Sequence, residues 1–135
     1  MLARPLRSLV LFAAVAALLA PAVAAQQKTT LQAEFAKQGA LVEGGLAVDV
    51  RVTVRCPAGY RVLEAFAYVT QDGNQSQFAP IPVVCDGKRR TYTVRVRGFE
   101  PFHRGTARAS GYVLVEDPQT GATQSVSPTA EIKFK

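Results

Sequence analysis

The sequence predicts an all-β protein, an antiparallel β-sandwich of about seven strands with one disulfide. Residues 46–56 carry apolar side chains at every even position and polar side chains at the odd positions from 49 to 55. Because successive side chains of a strand point to opposite faces, this stretch predicts a long strand with one buried valine row. Turn residues recur at short intervals along the chain, and no helix is predicted after residue 25.

The N-terminal residues 1–25 predict a secretory signal peptide that is not part of the fold. Two arginines precede an unbroken apolar run of 12 residues, and small residues follow that run. This order is that of a cleaved signal, and the run is well short of the roughly 20 residues that span a bilayer. We expect cleavage after Ala24 or Ala25, secretion without a transmembrane anchor, and one mature domain over residues 26–135.

The predicted mature domain is small and basic. Cleavage after residue 25 leaves 110 residues, with 14 basic and 10 acidic side chains and a net charge of +4. A chain of this length can bury a single core without a metal or many disulfides. In an exported protein, a basic surplus is typical of a solvated, soluble surface or of a surface for anionic polymers and membranes.

The two cysteines predict the disulfide. Cys56 ends the valine-rich strand on its buried row, and Cys85 is the only other cysteine. We expect them to pair, because an exported chain meets an oxidising compartment. Their wide spacing argues against a redox dithiol motif, and too few other ligands are present for zinc. No metal or other cofactor is expected.

The remaining strands follow from apolar alternation between turn signals. Asp72-Gly73 and Asp86-Gly87 are hairpin signals, because type I′ turns need positive φ. An immunoglobulin-like strand order places residues 46–56 beside residues 91–97, with both cysteines at one end of the sandwich. The loop at 98–104 is apolar enough to plug one end of the core. The expected strands are residues 31–35 with a kinked continuation over 40–42, then 46–56, 61–71, 74–79, 91–97, 105–116 and 123–134.

Strands 61–71 and 105–116 are apolar on both faces, so the alternation does not decide which of their faces is buried. One parity holds large side chains and the other small ones. If the small residues face inward, an aromatic patch is exposed and predicts a binding surface. We favour buried aromatics, because burying each contributes about 2 kcal/mol, although Glu64 and Arg108 share their parity. The large set is Phe66, Tyr68, Tyr112 and Leu114, and the small set is Ala65, Ala67, Ala107, Ala109 and Gly111.

Several short motifs carry a resemblance that covers nearly the whole mature chain. They are Val54-Arg55-Cys56, Val84-Cys85-Asp86-Gly87, Tyr-Thr-Val-Arg-Val at 92–96 and Phe-His-Arg-Gly-Thr-Ala at 102–107. On these motifs the chain resembles a family of small exported actinobacterial domains. The resemblance implies an immunoglobulin-like sandwich with one such disulfide and no established function. The chain also resembles the neocarzinostatin-type chromophore carriers in size, export and β architecture, without their two short-range disulfides.

No constellation of residues predicts catalysis. His103 is the only histidine and lies in a loop beside Glu100 and Arg104. With both cysteines bridged, no Cys–His nucleophile pair is available. Glycine-rich phosphate loops are absent from the sequence. We therefore expect a protein that is not an enzyme.

A cluster of basic residues is the sharper candidate site. Like charges on adjacent strands are mildly unfavourable without a partner, so the cluster predicts a surface for an anionic envelope polymer or a secreted protein. The alternative is a solvated face that Asp49 and Glu34 dilute. Nucleic acid is not an expected partner, because no aromatic residues interleave the charges. The candidate residues are Arg51, Arg55, Arg95, Arg97, Lys88, Arg89 and Arg90.

The sequence thus predicts a secreted, non-catalytic binding or interaction module whose ligand is left open. One alternative is a small-molecule carrier, with the ligand between the sheets or on an aromatic face. Another is an inhibitor of a secreted hydrolase that presents the loop at 98–104.

Overall fold

The computed structural model describes residues 30–135, and the predicted signal peptide at 1–25 lies outside them. Within this part of the chain the protein is all-β with one short 3₁₀ turn, Glu43–Gly45, as its helical element, so the predicted fold class is confirmed. No helix among the described residues is long and apolar enough to cross a membrane. The strands are β1 (Gln32–Val42), β2 (Ala47–Arg55), β3 (Arg61–Gln71), β4 (Asn74–Gln75), β5 (Ala79–Pro80), β6 (Arg89–Arg97), β7 (Gly105–Glu116), β8 (Thr123–Val126) and β9 (Thr129–Phe134).

The strands form one strongly curled sheet in the order β4-β3-β7-β9-β1-β2-β6, with β5 paired to β3 and β8 to β7. Curling divides it into two layers, β1-β2-β6 and β3-β7-β9, in an immunoglobulin-like order. The predicted neighbours β2 and β6 pair along their whole length. A short parallel ladder between β1 and β9 joins the layers, and every other pair is antiparallel.

The valine row of β2 forms the centre of the core. Val48, Val50, Val52 and Val54 are all buried. The neighbouring strand β6 adds buried Val94 and Val96 to the same layer. Alternation along β2 therefore places its apolar set against the opposite layer, as its sequence predicts. The side chains that β7 and β9 contribute from that layer include Val113, Val115, Ile132 and Phe134.

The small side chains of β3 and β7 face inward, so the expectation of buried aromatics is wrong. Ala67 and Ala109 are fully buried, whereas Phe66 and Tyr112 are half-buried on the outer face. The reason is space: Phe35 of β1 occupies the interior, and its ring would lie 3.1 Å from a Cβ placed on Gly111. A second layer of large side chains would overpack this volume.

The two Asp-Gly dipeptides have different outcomes. Asp72 and Gly73 have φ of 48° and 80° and join β3 to β4, as the hairpin signal predicts. Asp86-Gly87 closes no hairpin, because the residues at 81–88 form no strand and instead cross from one layer to the other. Gly87 has positive φ there, and its N–H donates to the carbonyl oxygen of Cys56 at 2.9 Å.

Three predicted strand boundaries also change. The first strand is continuous over Gln32–Val42, with a register shift between Phe35 and Gly39 where the kink was expected. The return strand at 74–79 is reduced to β4, with β5 following at Ala79–Pro80. The last strand is interrupted at Ser127 and Pro128, since proline lacks the N–H that the ladder needs.

Both ends of the sandwich are closed. At one end the Cys56–Cys85 disulfide is present as predicted, with Cα atoms 4.5 Å apart. At the other end Phe102 is buried and its ring centre lies 6.1 Å from that of Phe134. The N–H of Phe102 donates to the carbonyl oxygen of Gly45 at 2.7 Å. The loop at 98–104 therefore plugs the core, as its sequence predicts.

Candidate functional site

Four aromatic rings form a contiguous group on the outer face of the β3-β7 layer. We call this group, Phe66, Tyr68, Phe78 and Tyr112, the aromatic face. Phe66 lies opposite Tyr112 across the β3–β7 ladder, with ring centres 5.9 Å apart. The ring centre of Phe78 lies 5.1 Å from those of both Phe66 and Tyr68.

Phe78 is the most exposed member of the aromatic face, with 60% of its surface accessible. It lies between β4 and β5, and buried Ser76 fixes this connection. The Ser76 hydroxyl accepts a hydrogen bond from the Val69 N–H at 2.8 Å and donates one to the Gln77 carbonyl at 2.9 Å. Phe78 was not predicted as a site residue, because it follows a polar segment and belongs to no run of alternating apolar residues.

The apolar area extends beyond the four rings. Pro80 is exposed and lies opposite Phe66, and Leu114 is half-buried two residues from Tyr112 on the same face of β7. Scattered apolar side chains are ordinary on a protein surface, but contiguous patches with charged edges are typical of interaction sites. The aromatic face is therefore the stronger of the two candidate surfaces.

The predicted basic residues lie on β2, on β6 and just before β6, and two of them, Arg95 and Arg97, line a groove together with Phe78 and Pro80. The ladder sets Arg51 opposite Thr93 and Arg55 opposite Arg89, and these odd positions of β2 point outward. Arg90 lies opposite buried Val54, on the other parity. We call the seven predicted residues the basic strip: Arg51, Arg55, Lys88, Arg89, Arg90, Arg95 and Arg97.

Four members of the basic strip form ion pairs with carboxylates. Nε of Arg95 lies 2.9 Å from an Asp49 oxygen, and Nη1 of Arg97 lies 2.5 Å from a Glu43 oxygen. Two further pairs join Arg89 to Glu34 at 3.7 Å and Arg90 to Asp86. These carboxylates neutralise much of the strip, which weakens its case as a site for an anion.

The Arg90–Asp86 pair also shifts the ionisation of both partners. The hydrogen bond from Arg90, followed by that from the Lys88 N–H, lowers the pKa of Asp86. The hydrogen bond to Asp86 raises the pKa of Arg90 in turn, and that to Asp49 raises the pKa of Arg95. All these groups are solvent-accessible, so the pairs define the local charge pattern more than the stability of the fold.

Three members of the strip, Arg51, Arg55 and Lys88, form no ion pair with a described residue. Nε of Arg55 donates to the carbonyl oxygen of Gly87 at 3.0 Å. Two shallow grooves flank Arg51 and Arg55 on the outer face of β1 and β2. They are lined by Gln32, Ala33, Glu34, Thr53, Arg55 and Arg89, and by Gln38, Gly39, Ala40, Asp49, Arg51 and Thr93.

His103 belongs to neither surface. Its ring lies 2.8 Å from the Arg104 carbonyl oxygen through Nδ1 and 2.8 Å from an Asp72 oxygen through Nε2. These two contacts raise the pKa of His103, the Arg104 carbonyl contributing most. Among the residues that the structure describes, no three His, Cys, Asp or Glu side chains are grouped to hold a metal ion.

No protein-family model matches the sequence, and no curated protein matches it. The fold and its surfaces define a single class, an immunoglobulin-like β-sandwich with a disulfide at one end, an aromatic face on one layer and a largely ion-paired basic strip on the other.

Proposed function

We propose that the mature chain is an exported, non-catalytic interaction module that binds a macromolecular partner through the aromatic face. The observation that carries the proposal is Phe78, a 60% exposed phenylalanine packed edge-on between the rings of Phe66 and Tyr68. Burial of such rings against a partner is favourable, and aromatic residues are enriched in the centres of protein interfaces.

Export belongs to the same proposal and rests on two features of the sequence. The first is the signal peptide predicted over residues 1–25, and the second is a disulfide of the kind that persists in oxidising compartments. The resemblance to small exported actinobacterial domains, itself part of the proposal, agrees with both.

The packing of the interior favours the proposal of an outer binding surface over that of a carrier that holds its ligand between the sheets. Phe35 from one layer fills the space above Gly111 of the other, and Val50, Val52 and Val113 are fully packed between them. A ligand of chromophore size would need several of these side chains to leave their positions, at a cost of several kcal/mol.

Retention experiments test the proposed surface. Mature protein is immobilised and challenged with purified cell-envelope fractions and culture-medium proteins of the producing organism. Phe78→Ser is expected to lower retention at least about tenfold, because it removes the central exposed ring. The matched control is Phe99→Ser, since Phe99 is 74% exposed but lies in the loop at 98–104, outside the aromatic face. Equal retention by both variants and the wild type would overturn the proposed surface.

Three cations of the basic strip form no ion pair with a described residue, and they favour a second candidate, binding of an anionic envelope polymer at that strip. The test variant is Arg51→Ser/Arg55→Ser/Lys88→Ser. Retention on purified anionic wall polymer at low salt is expected to fall in this variant, and to fall for the wild type as salt rises. The charge-matched control removes three exposed cations outside the basic strip that also form no ion pair with a described residue, Arg104→Ser/Lys133→Ser/Lys135→Ser. An equal loss in both triple variants would show only a net-charge effect and would remove this candidate.

A further inference from the structure

We propose that the partner of the aromatic face is a second copy of this chain, packed face to face with its strands antiparallel to those of the first. This inference rests on the proposed function of that face and names its partner. It is carried by the distribution of charge along β3 and β7, on the same outer face as the rings.

The aromatic face has one acidic and one basic end. Glu64 of β3 lies opposite Leu114 at one end, and Arg108 of β7 lies opposite Thr70 at the other. Both charged side chains are exposed, and neither forms an ion pair with a described residue. The six residue steps from position 64 to position 70 separate the two ends by about 20 Å along the strand.

Neighbouring charges do not cancel this polarity. At the acidic end Glu116 is already paired with Arg61, their nearest atoms 2.6 Å apart. At the basic end Glu131 lies opposite Arg108 on β9, but no ion pair joins them, and Lys133 follows two residues later on the same parity. The basic end thus keeps a net positive charge.

A two-fold axis that lies in the interface and crosses the strands satisfies both ends at once. It places Glu64 of each copy over the Arg108 end of the other, and the four rings of each copy meet at the centre. The contact is isologous, so each complementary pair occurs twice. With parallel strands, Glu64 would face Glu64 and Arg108 would face Arg108, which is repulsive.

The geometry of the rings favours a protein surface over a stacked sugar ring. Tyr68 and Phe78 are nearly perpendicular, at 88°, so they offer ridges and edges that interdigitate and no flat platform. Four strands spaced by about 4.8 Å, over about 20 Å of length, give a footprint of about 400 Å². Because specific interfaces commonly bury about 800 Å² on each partner, we expect a weak dimer with a Kd of roughly 10–100 µM.

Charge reversal tests the arrangement. Sedimentation of the mature, disulfide-intact protein is measured from about 1 µM to about 1 mM, on either side of the expected Kd. Glu64→Arg and Arg108→Glu are each expected to weaken the dimer at least about tenfold, because each creates two like-charge contacts. An equimolar mixture of the two single variants is expected to associate again, because both contacts between unlike copies are then complementary. Phe78→Ser abolishes association and Phe99→Ser leaves it unchanged.

Each other outcome is decisive. A wild-type protein that stays monomeric at about 1 mM overturns the inference. Association that ignores both charge reversals and Phe78→Ser overturns it as well, and so does a mixture of single variants that stays monomeric. Failure here is separable from failure of the proposed function: a monomer whose envelope retention still depends on Phe78 loses the self-association but keeps the binding surface.

Discussion

Nε2 of His103 lies 2.8 Å from a carboxylate oxygen of Asp72, across 31 residues of sequence. The contact joins the loop at 98–104 to the tip of the β3–β4 hairpin. Gln71 reinforces it from below, since its Nε2 donates to the His103 carbonyl at 2.8 Å and its Oε1 accepts from the His103 N–H at 3.0 Å. A titratable side chain therefore contributes to the contacts at this end of the sandwich.

The His103–Asp72 contact predicts a measurable ionisation. Hydrogen bonds to the Arg104 carbonyl and then to Asp72 raise the pKa of His103 above its ordinary value of 6.5. His103 is the only histidine, so one imidazole resonance reports its titration by NMR. Asp72→Asn is expected to lower the midpoint while keeping part of the shift, because the Arg104 contact remains. A midpoint that does not move on this substitution would contradict the contact.

The same shift predicts a direction for stability against pH. Because the folded pKa of His103 is raised, its contribution is fully present below the unfolded value of 6.5 and is lost as pH rises through the folded pKa. Urea unfolding at pH 5.5 and pH 8 is expected to show this loss in the wild type and a smaller loss in Asp72→Asn. Asparagine tolerates the positive φ of this turn position, so the comparison isolates the charge.

Removal of the disulfide predicts a large loss of stability. Cys56 and Cys85 are 29 residues apart, and closure of such a loop contributes about 3.5 kcal/mol in the chain-entropy account. Cys56→Ala/Cys85→Ala is expected to lower the free energy of unfolding by that order, measured by urea denaturation. Alanine is preferred to serine because Cys56 is fully buried and a hydroxyl there would lack a partner. A loss below about 1 kcal/mol would contradict the prediction.

Adjacent glycines in the 3₁₀ turn predict unequal costs on substitution by alanine. A Cβ on Gly45 would lie 2.4 Å from the Phe102 carbonyl oxygen, whereas a Cβ on Gly44 would meet nothing within 4 Å. Both residues have positive φ. Gly44→Ala is expected to cost about 1 kcal/mol for backbone strain, and Gly45→Ala at least about twice that. Thermal and urea unfolding of the two variants provide the comparison, and equal costs would contradict the close approach.

The inward orientation of the small side chains predicts intolerance of larger ones. Ala109 is fully buried beneath the layer that carries Phe35, so Ala109→Leu is expected to destabilise the fold by about 1–3 kcal/mol through overpacking. Ala40→Leu, at an exposed position of β1, is the control and is expected to change stability by less than about 0.5 kcal/mol. The reverse order, measured by urea denaturation, would mean that β3 and β7 bury their other face.

The sequence predicts a structural feature correctly where its residue pattern allows only one arrangement. The alternation along residues 46–56 can bury only the valines, and two cysteines in a chain have a single pairing. The orientation of β3 and β7 is different, because both parities are apolar and the choice depends on what the opposite layer supplies. Glu64 and Arg108 did mark the outer parity, since a charged side chain is costly to bury. That signal outweighs the gain from burying aromatics.

Other features depend on tertiary structure that no local pattern encodes. Asp72-Gly73 closes a hairpin and Asp86-Gly87 does not, although the dipeptides are identical. What differs is whether the flanking residues belong to one layer or cross between layers. The ion pairs of the basic strip were missed in part for a similar reason. Glu43 reaches Arg97 from a turn with φ of 53°, and this placement comes from the β1–β2 connection.

The short parallel ladder between the first and last long strands gives the domain a mechanical property. Gln38 and Gly39 pair with Lys133 and Phe134, so the two strands run in the same direction while the chain leaves them at opposite ends. A pulling force between the two termini drags the strands past each other and loads their hydrogen bonds in shear, all together. A domain tethered at both ends would resist stretching first through the hydrogen bonds of this parallel ladder between β1 and β9.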